Sequence, residues 1–119
     1  MAHYVDGFVV PVPRDRLHDY QALAEMAGSI WKEYGALSYW ECVGDDVPVG
    51  ELTSFPRSVQ LKDDEVVVFA WIVYESKDQR DAINAKVMND ERFKQLDQSR
   101  LPFDGKRMFW GGFRSIVEK

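Results

Sequence analysis

The apolar pattern is densest over residues 65–90, EVVVFAWIVYESKDQRDAINAKVMND. An unbroken apolar run covers 66–74, rich in β-branched and aromatic side chains, and a helical pattern begins directly behind it. This predicts a buried strand feeding a helix. Ser76 marks the handover, because its hydroxyl can cap the Gln79 amide while the Gln79 side chain reaches back to the amide of Ser76. A strand that is apolar towards both faces needs a cover on each side.

From the N-terminus, Tyr4, Asp6, Phe8 and Val10 alternate with His3, Val5, Gly7 and Val9. Both sets are largely apolar, which predicts a second doubly buried strand with Asp6 as its exception. Pro11-Val12-Pro13 ends it, and Pro13 suits the first turn of a helix. Leu17, Tyr20, Leu23, Ala24, Ala27, Ile30, Trp31 and Tyr34 then recur at helical spacing, and Gly35 closes the helix. Residues 36–43 read as a third extended segment carrying Tyr39, Trp40 and Cys42. Residues 44–64 are rich in turn formers, and the alternation of Val59 and Leu61 with Ser58 and Gln60 predicts a short extended arm there. Asp90 caps a separate helical turn carrying Phe93 and Leu96, and 102–105 form a turn. The last strand covers 106–117, where Gly111-Gly112 would weaken it unless another group comes close.

The order strand, helix, strand, insertion, strand, helix, short helix, strand predicts a ferredoxin-like α+β sandwich, an antiparallel sheet with two main helices on one face. It is read as one domain over 1–119, with an insertion or arm at 44–64. Helices cover only one face, yet the strands are apolar on both. The other face therefore calls for a second copy of the chain, closing a barrel-like dimer with an interior lined by both subunits.

Composition narrows the partners. Of the 119 residues, 45% are apolar and 29% charged, which suits a globular protein. No apolar run is long enough for a membrane span and the start lacks a secretory signal, so the chain reads as cytoplasmic. The net charge of −5 argues against nucleic acid as the main partner. The single cysteine, Cys42, is expected to be a buried, inert thiol, with too few companions for a metal site; neither metal nor cofactor is expected.

The segments YVDGFVVPVP at 4–13, ECVGDDVP at 41–48, TSFPR at 53–57, WIVYESKDQRDAINAKVM at 71–88 and PFDGKRMFWGGF at 102–113 carry a specific resemblance. Together they resemble a bacterial family of domains of unknown function, number fourteen twenty-eight. More distantly the chain is similar to the dimeric α/β barrel superfamily, which includes antibiotic-biosynthesis monooxygenases, haem-degrading enzymes, dehydratases and stress-response dimers. The resemblance implies the fold and the homodimer, and no particular reaction. The superfamily's haem enzymes use a histidine on or beside the second helix, and residues 77–96 contain none. The monooxygenases combine Asn, Trp and His in their pocket; Asn84 and Trp71 are present here without the histidine.

Asp6 is the most informative carboxylate, because a charge within an apolar strand must be paired, hydrated in a cavity or protonated. It reads either as an ion pair, with Arg107 or another basic residue, or as a general base. Glu41 raises the same choice. Trp40, Trp71, Tyr74, Phe109 and Trp110 line either a ligand cavity or a core or interface. Arg57 and Arg107 read as structural clamps for Asp45, Asp46 or Asp104, or as receivers of an anionic ligand. The reading that unites these is a cytoplasmic homodimer that binds a small, partly apolar molecule within the barrel. Any reaction would be cofactor-independent proton transfer or oxidation led by Asp6. Two rivals stand beside it: a non-catalytic assembly or stress-response dimer, and an RNA-binding module tied to signal recognition particle RNA, a label that some relatives carry and the acidic balance weakens.

Overall fold

The computed structural model describes residues 2–119. It runs β1 (Tyr4–Pro13), α1 (Leu17–Glu33), β2 (Ser38–Val43), a short α2 (Phe55–Ser58), β3 (Glu65–Tyr74), α3 (Lys77–Met88), a short α4 (Glu91–Lys94) and β4 (Phe109–Arg114). The strands form one sheet in the order β2-β3-β1-β4, every neighbouring pair antiparallel. The expected ferredoxin-like arrangement is thus present. Both caps form: the Ser76 hydroxyl accepts from the Gln79 amide at 3.1 Å, without the expected return bond from the Gln79 side chain, and the Asp90 carboxylate accepts from the Arg92 amide at 2.9 Å. At the end of α1, Gly35 takes the left-handed φ of +117° that a β-carbon would disfavour.

Two strands have boundaries other than expected. The last covers Phe109–Arg114 and not 106–117, because 105–107 form a turn. The prolines do not end β1, which stays paired with β3 through Pro13↔Glu65. The amide of Arg14 donates to the Asp64 carbonyl at 2.7 Å, so even positions of this strand address β3 and odd positions address the opposite edge. Pairing with β4 stops at Val9↔Phe109. Pro11 and Pro13 therefore lack a donor only where no neighbouring strand asks for one.

The helix-facing side holds the main core. Ile72, Tyr74, Ile30, Ile83 and Val87 form one buried cluster, and Val10, Val12, Tyr20, Ala24 and Val68 another. Gly112 has a clear reason: a β-carbon there would lie 2.1 Å from Arg80 Nη2 and 2.6 Å from the Tyr4 hydroxyl. These two side chains fill the gap that the bare glycine leaves in the strand, as the Gly-Gly pair required.

The other face is partly covered by the chain itself. The 44–64 arm is not extended at 58–61 as expected; Ser54 caps a helical turn, Phe55–Ser58, by accepting from the Arg57 amide at 3.0 Å, with Pro56 in the first turn. Behind it Val59, 1% exposed, packs on Val9 and Val67, and Phe55 meets Phe69 edge-on at 5.5 Å. The rest of that face is bare. Trp40 stacks on Trp71 at 5.7 Å and is 58% exposed, Phe113 is 64% exposed, and Phe69 and Phe109 are also open to solvent.

Arg107 staples the arm to the sheet. Its guanidinium donates to both Glu65 carboxylate oxygens at 2.8 and 2.6 Å, to Asp104 at 2.8 Å, and to the Val59 and Gln60 carbonyls at 3.2 and 3.1 Å. These bonds hold Glu65 below the ordinary carboxylate range. Arg57 serves only its own arm, donating to the Val49 and Gly50 carbonyls at 2.8 and 3.2 Å.

Candidate functional site

The two strand carboxylates point the same way and lead different lives. Even positions of β1 face the helices, so Asp6 lies beneath α3 and not on the open face. It is 1% exposed. Arg80 Nε donates to its Oδ1 at 3.1 Å and the Tyr74 hydroxyl donates to its Oδ2 at 3.0 Å. The same guanidinium rests 4.9 Å from the centre of the Tyr4 ring. This is an ion pair within one chain, the first of the two readings of Asp6, and its basic partner is Arg80 and not Arg107, which pairs with Glu65. Asn84 belongs to the same buried network: its side-chain oxygen accepts from Trp31 Nε1 at 2.9 Å and lies 3.3 Å from the Tyr74 hydroxyl. Burial, then the Asp6 charge, pushes the Tyr74 phenol far above its usual range.

Glu41 sits on β2 opposite Ala70, also facing the helices. Tyr20, from α1, donates to its Oε1 at 2.5 Å, and Tyr39, two residues back on the same face of β2, donates to its Oε2 at 2.6 Å. Burial, followed by the charge of Glu41, pushes both phenols far above their ordinary range, so both stay protonated donors. Gly28 makes the approach possible: a β-carbon there would lie 2.7 Å from the Tyr39 ring.

Two cavities meet at this trio. An outer cleft of about 660 Å³ runs between α1 and β2, bordered by Gln21, Glu25, Gly28, Ser29 and Lys32. An inner cavity of about 300 Å³ lies under the helices and is lined by Phe8, Val10, Trp31, Met88, Phe93 and Phe103, among others. Tyr20, Ala24, Tyr39 and Glu41 border both. Edge-on contact with Phe93 at 5.4 Å and the bond to Asn84 fix the Trp31 wall.

Of the six candidate site residues, Glu41 alone borders this space; Asp6 and Asn84 lie in the neighbouring network, Trp71 is on the open face, and Arg57 and Arg107 are clamps. Cys42, expected to be buried, is exposed, because β2 is an edge strand. Tyr20, Tyr39 and Gly28 were missed. Tyr39 and Glu41 share a strand face by their spacing of two, which is a usable signal; the approach of Tyr20 from α1 has none.

Fold and site together define a ferredoxin-like α+β protein with a polar trio in a cavity beneath its helices and a partly uncovered sheet face. The chain belongs to the family described as protein of unknown function, DUF1428, whose profile matches residues 3–105. It is 50% identical over 116 residues to the uncharacterized protein YbaA of Escherichia coli strain K12, covering 98% of each chain, and equally to YbaA of Shigella flexneri. A solved structure, a dimeric ferredoxin-like protein from an uncultured marine organism, superposes over 100% of both chains with a TM-score of 0.61 at 11% identity. That likeness concerns the fold. No helix among the described residues is long and apolar enough to cross a membrane.

Proposed function

We propose that this protein is a cytoplasmic homodimer that binds a small, partly apolar molecule in the cavity beneath its helices. The observation that carries the binding half is the meeting of an apolar inner cavity and a more polar outer cleft at Tyr20, Tyr39 and Glu41. The dimer half is supported by the exposed aromatics of the open face and by the marine fold neighbour, which is a dimeric ferredoxin-like protein. Each large side chain of that face contributes about 1.5–3 kcal/mol if fully buried against a second copy, which makes a sheet-to-sheet dimer energetically reasonable. Assembly and ligand binding were rivals while both claimed the same face; on opposite faces they are compatible.

Ala24 borders both cavities, so Ala24→Leu fills the space while keeping an apolar helix residue. A small-molecule collection is screened by thermal shift against wild type and this variant. Compounds that raise the wild-type midpoint are expected to lose their effect in the variant; an equal rise in both would refute binding at this site. Light scattering over a dilution series is expected to give twice the chain mass for wild type and the single-chain mass for Phe113→Asp. A wild-type monomer at every concentration would end the dimer reading.

A further inference from the structure

The chain gives three of its shielded carboxylates a guanidinium. Asp6 has Arg80 at 3.1 Å, Glu65 has Arg107 at 2.6 Å, and Asp90 has Arg92 at 2.9 Å. This is the usual solution, since a carboxylate withdrawn from water is costly unless a cation or full hydrogen bonding compensates it. Glu41 breaks the pattern: among the described residues no basic side chain lies within 4.0 Å of it. Lys32, the basic residue bordering the outer cleft, donates to the Leu37 carbonyl at 2.9 Å instead.

The two phenols do not replace that cation. Each occupies one lone pair of one carboxylate oxygen, and a carboxylate offers roughly four such sites. About half of its accepting capacity is therefore left, on a group that borders both cavities. With their protons committed to Glu41, the phenols present only acceptor lone pairs and ring faces to a visitor, and these favour a cation too. Besides Lys32, the other charged side chain on the outer rim is Glu25, again negative. Phe8, Trp31, Met88 and Phe93 supply an apolar chamber on the inner side.

Resting on the binding function proposed above, we infer that the ligand is a small organic amine, bound as its ammonium ion. The ammonium donates to the free lone pairs of Glu41 between Tyr20 and Tyr39, and an aryl or alkyl tail fills the inner cavity. Anions are excluded by the same carboxylate. A neutral alcohol of equal size keeps the apolar contacts and loses the charge-assisted bond, which is roughly twice as strong as a neutral one.

Three probes of one shape separate these cases: phenethylamine, phenethyl alcohol and hydrocinnamate, titrated by calorimetry against the intact protein near neutral pH. The amine is expected to bind at least about tenfold more tightly than the alcohol, a difference of about 1.4 kcal/mol, with the carboxylate weakest. In Glu41→Gln, whose amide oxygen can still accept from a phenol, the preference for the amine over the alcohol is expected to vanish. Equal or tighter binding of the alcohol or the carboxylate by wild type overturns the amine class and leaves the cavity itself standing. No binding by any probe, together with a collection screen that finds no ligand sensitive to Ala24→Leu, overturns both. An amine preference that survives in Glu41→Gln overturns the assignment to Glu41. Because the three-probe comparison uses wild type alone, it decides the class even if the variant folds poorly.

Discussion

Arg107→Met tests the claim that the arm is stapled to the sheet by a buried charge network and that Arg107 is not a ligand receiver. The side chains of Arg107 and Glu65 are 15% and 5% exposed, and the substitution keeps most of the aliphatic stem while removing every donor. Glu65 would keep its bond from the Lys62 amide at 2.8 Å and lose both guanidinium contacts. Removing one partner of a buried pair costs about 3–5 kcal/mol, and the remaining bond together with partial solvent access favours the lower end, about 3 kcal/mol. With about 2.1 cal/mol/K of unfolding entropy per residue, a chain of 119 residues has about 250 cal/mol/K, so the melting midpoint is expected to fall by about 12 °C.

The assay is calorimetry at fixed protein concentration, since association would itself move the midpoint. Glu65→Gln and the double variant complete a cycle. The double variant removes the orphaned charge, so its loss should be smaller than the sum of the single losses by about 1–2 kcal/mol. Arg57→Met is the contrasting case, because exposed Arg57 bonds only to carbonyls of its own arm, and a loss under about 1 kcal/mol is expected there. A shift below about 4 °C for Arg107→Met, the range of a surface pair, or an additive double variant would refute the staple.

Two further outcomes follow from the same geometry. Glu65 is held below the ordinary glutamate value of 4.5 in the folded protein, so its contribution to stability is complete above that value and is lost as the pH falls through the lower, folded one. Melting midpoints measured from about pH 5 to about pH 3 should drop less steeply in Glu65→Gln than in wild type, and parallel curves would count against the linkage. Gly112→Ala should destabilise by about 1–3 kcal/mol by displacing Arg80 from Asp6, whereas Gly111→Ala, whose nearest neighbour would be 3.6 Å away, should cost less; equal losses by chemical denaturation would contradict the crowding at Gly112.

The sequence made the element order legible because the signals were local. The apolar run at 66–74, the Ser76 cap and the helical spacing of Leu17, Tyr20 and Ala24 each draw on neighbours a few residues apart. The prolines misled for a reason that only pairing reveals: Pro11 and Pro13 end strands in general, but here their missing donors face the edge beyond which β4 does not extend. The arm misled in a related way. Val59 and Leu61 do mark a contact with the sheet, yet the alternation that suggested an extended segment belongs to the exit from a helical turn held by Ser54.

The faces of the sheet account for the rest. An apolar strand announces that both sides are covered without saying which side a polar exception takes, so from the sequence Asp6 reads either as an ion pair or as a general base in a cavity. Parity decides between them. Asp6 shares its face with Tyr4, Phe8 and Val10, under α3, where Arg80 arrives from 74 residues away to neutralise it. Glu41 lies on the same side of the sheet two strands away, but there the helix layer brings Tyr20 and no arginine. Two carboxylates with the same sequence signature are thus separated by what the opposite helix carries: a cation at Asp6 makes a strut, and its absence at Glu41 leaves a charge with accepting capacity beside a cavity. In the proposed function the weight therefore moves from the first strand to the second, and the open aromatic face is left for the proposed assembly.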